Sequence, residues 1–556
     1  MSLRFVVLLL GLVFLPLQAA ERPPLAAIAS AHPLATEAGF AVLNAGGNAF
    51  DAAVAVSAAL AVVEPYSSGI GGGGFWLLHQ SEDDRQVMLD GRERAPLAAH
   101  RDMYLDARGE VIPSASMDGA LASGIPGVPA ALDHLAKEYG RLPLSKSLAP
   151  AIRLAREGFP VTPHYRRMAA FRQDAFDKDP EASRLFLRDG QPPELGHVIR
   201  QPELAGVLER MAEEGADGFY RGEIAESLVA GVRKAGGIWT LRDLAEYRVI
   251  EREPVRGHYR GYEIISAAPP SSGGIALVTM LNILAGYDLK ALDEAGRMHL
   301  IVEAMRRAYR DRAEYLGDPD YITIPIQRLL SPYYADGLRA SIRHDKATPS
   351  ASLPGAVRPE GGNDTTHFSI LDADGNAVSA TLSINYPFGA AFVPPGTGVL
   401  LNDEMDDFSI KPGVPNAYGL VGAEANAIAP GKRMLSSMTP TFVRNDDRLA
   451  VLGSPGGSRI ITMVLLGALE AVNGKPPMDW VSRPRFHHQY LPDVIQHEPN
   501  ALDGASRKAL ESRGHAMKEQ QPWGNMQAVL WDKARNTVEA ASDPRVEGMA
   551  RVSGGR

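Results

Sequence analysis

The clearest candidate for nucleophilic chemistry in this chain of 556 residues begins at Thr365. Thr365 and Thr366 start a run of β-branched and aromatic residues, directly after a stretch from Arg343 to Asn363 that lacks hydrophobic periodicity. A threonine hydroxyl needs a nearby base, and a free α-amine on the same residue can serve because its pKa lies near neutrality. That amine exists only if the bond between Asp364 and Thr365 is cut. The segment therefore predicts self-cleavage, and the alternative is an ordinary strand that starts with two threonines.

The residues after Thr365 predict a β-hairpin that would bring further polar groups to this threonine. Its two strands and its turn are expected at Thr365–Leu371, Asn376–Asn385 and Asp372–Gly375. If Asp372 pairs with Asn376, Thr365 lies opposite Ser383. Asn385 would then share a face with Ser383, because side chains alternate along a strand. A second hydroxyl and an amide are therefore expected beside the nucleophile.

Five further short motifs are informative because of their joint order along the chain. They are Asp90–Pro96, Pro270–Gly274, Met405–Phe408, Leu435–Met438 and Gly453–Arg459. Each alone could be a turn, a cap or a surface loop, since short motifs have many chance matches. Together with Asp364–Ser369, they resemble the γ-glutamyltranspeptidase family of N-terminal-nucleophile hydrolases. The resemblance runs from about residue 25 to the end of the chain.

The resemblance implies catalytic roles for four residues. Thr365 is the expected nucleophile in both self-cleavage and catalysis. Ser383, at a position that is usually threonine in the bacterial members, is expected to form a hydrogen bond to Thr365. The backbone N–H groups of Gly456 and Gly457 are expected to form the oxyanion hole, where losing one donor costs about 3 kcal/mol.

Six further residues would bind the two charged ends of a γ-glutamyl group. The resemblance assigns the α-amine to Asn385, Glu404 and Asp407, and the α-carboxylate to Arg92, Ser436 and Ser437. Both sets are chemically sensible. An ammonium prefers carboxylate and amide oxygens, whereas a carboxylate prefers a guanidinium and hydroxyl donors.

The fold implied by the resemblance is α+β, the four-layer αββα sandwich of N-terminal-nucleophile hydrolases. The expected parts are a signal peptide at 1–20, a large subunit at 21–364 and a small subunit at 365–556. The expected activity is that of a γ-glutamyltransferase and glutathione hydrolase, in which a γ-glutamyl ester of Thr365 passes to water, an amino acid or a peptide. Glutathione is the expected donor and no cofactor is expected. The two subunits from one precursor should stay together.

Two other functions are compatible with parts of the sequence. A glutaryl or cephalosporin acylase of the same superfamily would share the fold and the maturation, but a glutaryl group has no α-amine for Glu404 and Asp407 to bind. Pro415–Leu420 also resembles the lid loop of the transpeptidases, which some acylases lack. A non-enzymatic protein that binds γ-glutamyl peptides would need neither the nucleophile nor the processing site, and the sequence retains both.

Helices and a glycine-rich turn must position these residues. Helical patterns occur at Ala35–Ala45, Ala49–Val62, Leu204–Glu214, Ile224–Ala235, Ile275–Leu284 and Arg297–Tyr315. Gly69–Gly74 precedes an apolar run and predicts a tight turn that leads into a strand. Ser271 and Ser272 precede a helical pattern and are expected to cap that helix.

The N-terminus and the composition indicate the compartment. Arg4, the apolar run Phe5–Leu17 and the small residues Ala19 and Ala20 predict an export signal, with an N-terminal anchor as the alternative. The absence of cysteine excludes disulfides, thiol nucleophiles and cysteine-ligated zinc. A bacterial periplasmic location is therefore expected, with no membrane association once the signal is removed.

Charge and histidine placement argue against two other kinds of partner. The net charge of -9, without a basic stripe, argues against nucleic-acid binding. His487 and His488 are adjacent, and neighbouring side chains on a strand point to opposite faces. They are therefore not expected to share a metal ion, and no metal site is predicted.

Overall fold

The computed structural model of this chain describes residues 22–353, 365–411 and 413–554. The predicted signal at 1–20, the last part of the predicted linker and Asp364 lie outside these ranges. Within the described ranges, no helix is both long and apolar enough to span a bilayer.

Helices are concentrated before residue 341 and return after residue 459. They are α1 Pro33–Asn44, α2 Ala49–Val63, α3 Val128–His134, α4 Leu144–Glu157, α5 Pro163–Phe171, α6 Gln173–Phe176, α7 Pro180–Phe186, α8 Pro202–Glu214, α9 Asp217–Tyr220, α10 Gly222–Lys234, α11 Leu241–Ala245, α12 Gly273–Leu284, α13 Glu294–Tyr315, α14 Ile326–Leu329, α15 Pro332–Ala340, α16 Ile460–Val472, α17 Pro477–Ser482 and α18 Gly504–Ser512.

Strands come from both sides of the predicted cut. Before it are β1 Ala27–Ser30, β2 Gly73–Gln80, β3 Arg85–Gly91, β4 Phe159–Pro160, β5 Val198–Ile199, β6 Ile250–Arg252, β7 Val255–Tyr259 and β8 Tyr262–Ser266. After it are β9 Thr366–Leu371, β10 Ala377–Ser383, β11 Thr441–Arg444, β12 Arg448–Gly453, β13 Phe486–His487, β14 Ile495–His497, β15 Met517–Glu519, β16 Gln527–Asp532, β17 Thr537–Ser542 and β18 Met549–Val552.

Two large sheets form the centre of the molecule. One has the strand order β18-β1-β9-β10-β2-β3-β6, and the other has the order β17-β16-β12-β11-β8-β7. In the first sheet, β9 and β10 lie between β1 and β2. Each sheet therefore combines strands from both sides of the predicted cut.

The two sheets stack face to face with helices on their outer sides. Along β2, Trp76 and Leu78 belong to the core shared with α1, α2 and α4, whereas Phe75 and Leu77 face the core shared with the second sheet and with α12, α13 and α16. This alternation of two buried faces is what a strand inside a layered sandwich requires. Between the sheets, Ser379 Oγ donates to Leu452 O at 3.1 Å. The predicted αββα sandwich is confirmed.

The helices predicted from the sequence are all present, with ends within three residues of the expected ones. The predicted capping of α12 is correct for only one serine. Ser271 Oγ accepts the N–H of Gly273 at 3.0 Å, but Ser272 Oγ donates to Ser436 O at 2.7 Å and makes no capping bond. Ser272 instead ties the start of α12 to a loop from the second part of the chain.

The hairpin after Thr365 has the predicted register. Leu371 pairs with Ala377 and Thr366 pairs with Leu382, and the Asp372 N–H donates to Asn376 O at 3.0 Å. This register places Thr365 opposite Ser383. All six residues of β9 are buried, so a shift by one residue would move polar groups into apolar core.

Candidate active site

Thr365 lies directly before β9, in a small pocket beside the end of β10. The pocket is lined by Thr365, Ser383, Asn385, Glu404, Asp407, Tyr418, Leu420, Ser436, Ser437, Met438, Gly457 and Ile460. Eight of these twelve are residues that the sequence predicts for the site. The enclosed space is small, about 20 Å³.

Ser383 and Asn385 reach the pocket by different local geometry. Ser383 is the last residue of β10, and its Oγ accepts the N–H of Asn385 at 2.7 Å. Asn385 follows the strand with a φ of 73°, a left-handed conformation that asparagine tolerates better than most residues. Strand alternation was therefore the wrong reason for placing Asn385 here, because a turn after β10 brings it to the pocket. Its Nδ2 donates to Asp403 O at 3.0 Å.

Arg92 pairs directly with two of the predicted ammonium ligands. It follows β3, is fully buried, and donates to Glu404 Oε1 and, at 2.5 Å, to Asp407 Oδ2. Its Nη1 also lies 3.5 Å from Glu93 Oε2. Arg92 is not among the lining residues, whereas both of these carboxylate partners are. The structure thus brings these three predicted residues together as one ion-pair cluster.

This cluster holds more carboxyl groups than cationic groups. Three carboxyl groups, of Glu93, Glu404 and Asp407, surround the single guanidinium of Arg92. Both oxygens of Glu93 and Oε2 of Glu404 have no hydrogen-bond partner among the described residues. Burial raises the pKa of Glu404 to about 7 and also raises the pKa values of Asp407 and Glu93. A buried site with surplus carboxylates favours a cationic ligand group.

The adjacent loop presents two serine hydroxyl groups as donors. Ser436 Oγ accepts the N–H of Met438 at 3.1 Å, and Ser437 Oγ accepts from Arg312 Nη2 at 3.3 Å. A hydroxyl carries one proton, which these contacts leave available for donation. The loop itself is held from α12, because the N–H of Ser272 also donates to Ser436 O, at 2.8 Å. Two such donors side by side suit a carboxylate.

The two predicted oxyanion-hole glycines lie just before α16. Gly456 and Gly457 have φ values of 138° and 55°, which favour glycine over residues with a side chain. A Cβ on Gly457 would lie 2.4 Å from Tyr418 Cδ1, so this position also excludes a side chain by space. Backbone N–H groups at a helix start lack intrahelical acceptors and lie at the positive end of the helix dipole. The local structure therefore suits an anionic oxygen. Of the two, only Gly457 lines the pocket.

The loop Pro415–Leu420 covers the pocket. Its Tyr418 hydroxyl donates to Asn385 O, and Asn416 Nδ2 donates to Asp407 Oδ1 at 3.1 Å. The N–H of Ala417 donates to Asp406 Oδ2 at 2.8 Å. The loop is thus attached by hydrogen bonds both to the residue that follows β10 by two positions, Asn385, and to Asp406 and Asp407.

Sequence reasoning missed several residues of the site. Tyr418, Leu420, Met438 and Ile460 line the pocket, and Arg312 contacts Ser437 from α13. All four lie within or directly beside the sequence motifs named above, so their positions were a usable signal. Arg312 lies 125 residues before Ser437, and no local pattern joins the two.

His487 and His488 contact different side chains of the protein. Both rings are buried; His487 is hydrogen-bonded to Thr462 Oγ1 at 2.9 Å and to Gln489 Oε1 at 2.8 Å. His488 Nε2 lies 3.2 Å from Asp493 Oδ1. Their partners differ, as the expected alternation of the two side chains implies.

A buried threonine at the start of a central strand, inside a sandwich of two sheets between helical layers, defines the N-terminal-nucleophile hydrolase class. The sequence model described as gamma-glutamyltranspeptidase matches residues 35–553. The chain belongs to the γ-glutamyltranspeptidase family.

Individual relatives agree with this assignment. A glutathione hydrolase proenzyme of Pseudomonas sp. (strain A14) is 44% identical over 544 residues, covering 95% of this chain and 94% of that protein. The structure of a cephalosporin acylase from Bacillus halodurans matches with a TM-score of 0.85 and 30% identity, over 99% of this chain and all of that one. The γ-glutamyltranspeptidase of Helicobacter pylori matches with a TM-score of 0.57 and 42% identity, covering 58% of this chain and 93% of that one.

Proposed function

We propose that this protein is a γ-glutamyltransferase and glutathione hydrolase whose nucleophile is Thr365. The observation that carries the proposal is the charge arrangement around the pocket. Glu404 and Asp407 line the pocket with carboxyl groups in excess of the one guanidinium beside them, and Ser436 and Ser437 line it with hydroxyl donors. A γ-glutamyl group carries an ammonium and a carboxylate on one carbon, so it matches both. The relatives named glutathione hydrolase proenzyme support glutathione as a donor.

Each proposed ligand has a part in binding the substrate. The α-ammonium is bound by Asn385, Glu404 and Asp407. The α-carboxylate is bound by Ser436, Ser437 and the edge of Arg92, whose present carboxylate partners turn to the ammonium when substrate enters. These contacts fix the γ-carbonyl next to Thr365.

The reaction proceeds in two halves. Thr365 Oγ1 attacks the γ-carbonyl carbon while its own α-amine takes the hydroxyl proton. The oxyanion is stabilised by the N–H groups of Gly456 and Gly457, and Ser383 orients the nucleophile through its free hydroxyl proton. The leaving amine takes this proton from the α-ammonium group of Thr365, and the γ-glutamyl group remains as an ester on Thr365 Oγ1. Water or the amine of an amino acid or peptide then attacks the ester and restores the Thr365 hydroxyl.

Maturation supplies the catalytic amine. We infer that the Asp364–Thr365 bond is cut by Thr365 itself, giving a large subunit at 21–364 and a small subunit at 365–556. The mixed strand order of both sheets supports a complex that persists without a covalent link. Residues 1–20 direct export to the periplasm and are removed.

A glutaryl or cephalosporin acylase is the second candidate, favoured by the structural similarity to the Bacillus halodurans acylase. The acidic ligands and the covering loop Pro415–Leu420 favour the γ-glutamyl substrate instead. The decisive experiment compares rates on L-γ-glutamyl-p-nitroanilide and on glutaryl-p-nitroanilide, which lacks only the α-amine. Faster cleavage of the γ-glutamyl compound is expected. Faster cleavage of the glutaryl compound would replace the proposal with the acylase, and cleavage of neither would refute both.

A further inference from the structure

Arg312 is a buried arginine that contacts Ser437, one of the residues that line the pocket. It lies near the end of α13, and its side chain contacts two serines from opposite sides of the predicted cut. Its Nε donates to Ser272 Oγ at 3.0 Å, and its Nη2 donates to Ser437 Oγ at 3.3 Å. Only 5% of the residue is exposed.

Arg312 differs from other buried arginines of this protein in the partners of its charged group. Arg92, Arg306, Arg307 and Arg485 each form an ion pair with at least one carboxylate. Arg312 forms no ion pair with any described residue, and both of its side-chain contacts are neutral hydroxyl oxygens. Burial lowers the pKa of Arg312, and the charge of Asp407 opposes that effect. A buried charge without a counter-ion is costly, so an anion is expected to approach it when the site is occupied.

The contacts of Arg312 also determine how Ser437 can act. Because Ser437 Oγ accepts from Arg312, the proton of this hydroxyl is left to donate elsewhere. Ser437 lines the pocket, so an anionic oxygen there would accept a hydrogen bond from this hydroxyl. Ser272 connects Arg312 to Ser436, the residue before Ser437. Its Oγ accepts a hydrogen bond from Arg312 and donates one to Ser436 O at 2.7 Å.

We propose that Arg312 is a positioning residue for the α-carboxylate of the donor substrate, and this inference rests on the proposed γ-glutamyl activity. It aligns the Ser437 hydroxyl for donation and supplies positive charge at the carboxylate end of the pocket. Arg92 alone does not supply that charge, because Glu93, Glu404 and Asp407 surround it. Arg312 thus makes the enzyme selective for donors that carry an α-carboxylate.

The test compares two donors in the mature two-chain protein. One is L-γ-glutamyl-p-nitroanilide, and the other is 4-aminobutanoyl-p-nitroanilide, which lacks only the α-carboxylate. Arg312→Gln is expected to lower kcat/KM on the first donor by about 30-fold, mainly through KM, because a charged hydrogen-bond donor is lost. On the second donor the change should stay within about twofold, so the ratio between the donors falls by more than about tenfold. Arg310→Gln, which changes a neighbouring arginine paired with Asp311, is the matched control and should keep the wild-type ratio.

Two further variants extend the test, and the first of them, Arg312→Lys, keeps the inference falsifiable if Arg312→Gln fails to fold. Arg312→Lys keeps the charge but loses the planar fork, so its donor ratio should lie between those of wild type and Arg312→Gln. Adding Arg312→Gln to Ser437→Ala should lower the ratio less than it does in wild type, because the two residues act together. Equal losses on both donors, or an unchanged ratio in Arg312→Lys and Arg312→Gln, would overturn the inference while leaving the activity intact. A wild-type protein that cleaves neither donor would overturn the proposed function itself and the inference with it.

Discussion

The Tyr418 hydroxyl donates a hydrogen bond to the backbone oxygen of Asn385, and so joins the loop that covers the pocket to the end of β10. Tyr418 also lies against Gly457, at the proposed oxyanion hole. One side chain therefore links the cover, the proposed ammonium site and the proposed oxyanion site. Closure of the loop and alignment of the catalytic groups are expected to be coupled.

Removing that hydroxyl tests the coupling. Tyr418→Phe should lower kcat/KM for L-γ-glutamyl-p-nitroanilide by about tenfold, as expected for one lost hydrogen bond of about 1.4 kcal/mol. Tyr333→Phe changes a tyrosine that is 87% exposed and should have no effect. Steady-state kinetics on both variants measure the difference. Unchanged kinetics in Tyr418→Phe would show that the loop closes without this bond.

Thr365→Ala should abolish both self-cleavage and turnover, because it removes the attacking oxygen. Mass spectrometry under denaturing conditions should detect one uncut chain in place of two fragments that meet at residue 365. Thr366→Ser is the matched control. It keeps a hydroxyl for the 2.7 Å bond to Glu64 Oε2, so it should be cut and active. A processed Thr365→Ala protein would refute the assignment of the nucleophile.

Glu404 should contribute to the pH dependence of catalysis. Burial raises the pKa of its carboxyl to about 7, so the group is neutral below that pH and binds an ammonium well only above it. kcat/KM should therefore rise with pH through about 7, together with the rise caused by deprotonation of the Thr365 α-amine.

The raised pKa of Glu404 also affects the stability of the fold. Because ionisation of this buried carboxyl is less favourable in the folded than in the unfolded chain, the free energy of unfolding should fall as the pH rises from 4.5 to about 7.

The variant Glu404→Gln separates the two ionisations. The slope of log(kcat/KM) against pH on the acid side should fall from about 2 to about 1, because only the α-amine still titrates. The kcat/KM at pH 8 should fall as well, since the amide carries no charge. A variant that retains the wild-type slope would show that Glu404 does not titrate during catalysis.

Arg92→Ala should weaken both the protein and its substrate binding. The change leaves three buried carboxyl groups without their guanidinium, a loss of about 3 kcal/mol in the free energy of unfolding. Chemical denaturation of the uncut Thr365→Ala background measures this loss in a single chain. Arg101→Ala removes an exposed ion pair with Glu424 and should cost less than about 1 kcal/mol. Equal stability of the two variants, or an unchanged KM in cleavage-competent Arg92→Ala, would contradict the placement of Arg92.

Local patterns predicted much of this structure. The hairpin register followed from one turn signal and two alternating segments, and it correctly placed Ser383 opposite Thr365. The helices followed from their apolar periodicity. Asn385 shows the limit of such reasoning, because its left-handed backbone after β10 interrupts the alternation on which the prediction depended.

Contacts between distant residues were beyond this kind of reasoning. Arg92 and Glu404 are 312 residues apart, and neither sequence neighbourhood reveals that the two side chains form an ion pair. Ser272 resembles a helix cap in sequence, yet it is bonded to a loop 164 residues later. The family resemblance indicated which residues belong to the site. Which of their side chains pair with one another became visible only in the folded structure.

The position of β9 and β10 between β1 and β2 has a practical consequence for producing the protein. The segment that begins at Thr365, synthesised alone, would expose both outer edges of this hairpin and the apolar faces of its strands. Unpaired edges of that kind recruit other chains, so the isolated segment should aggregate. The enzyme is therefore best obtained from one continuous gene, whose product assembles both sheets before the proposed cut at Thr365.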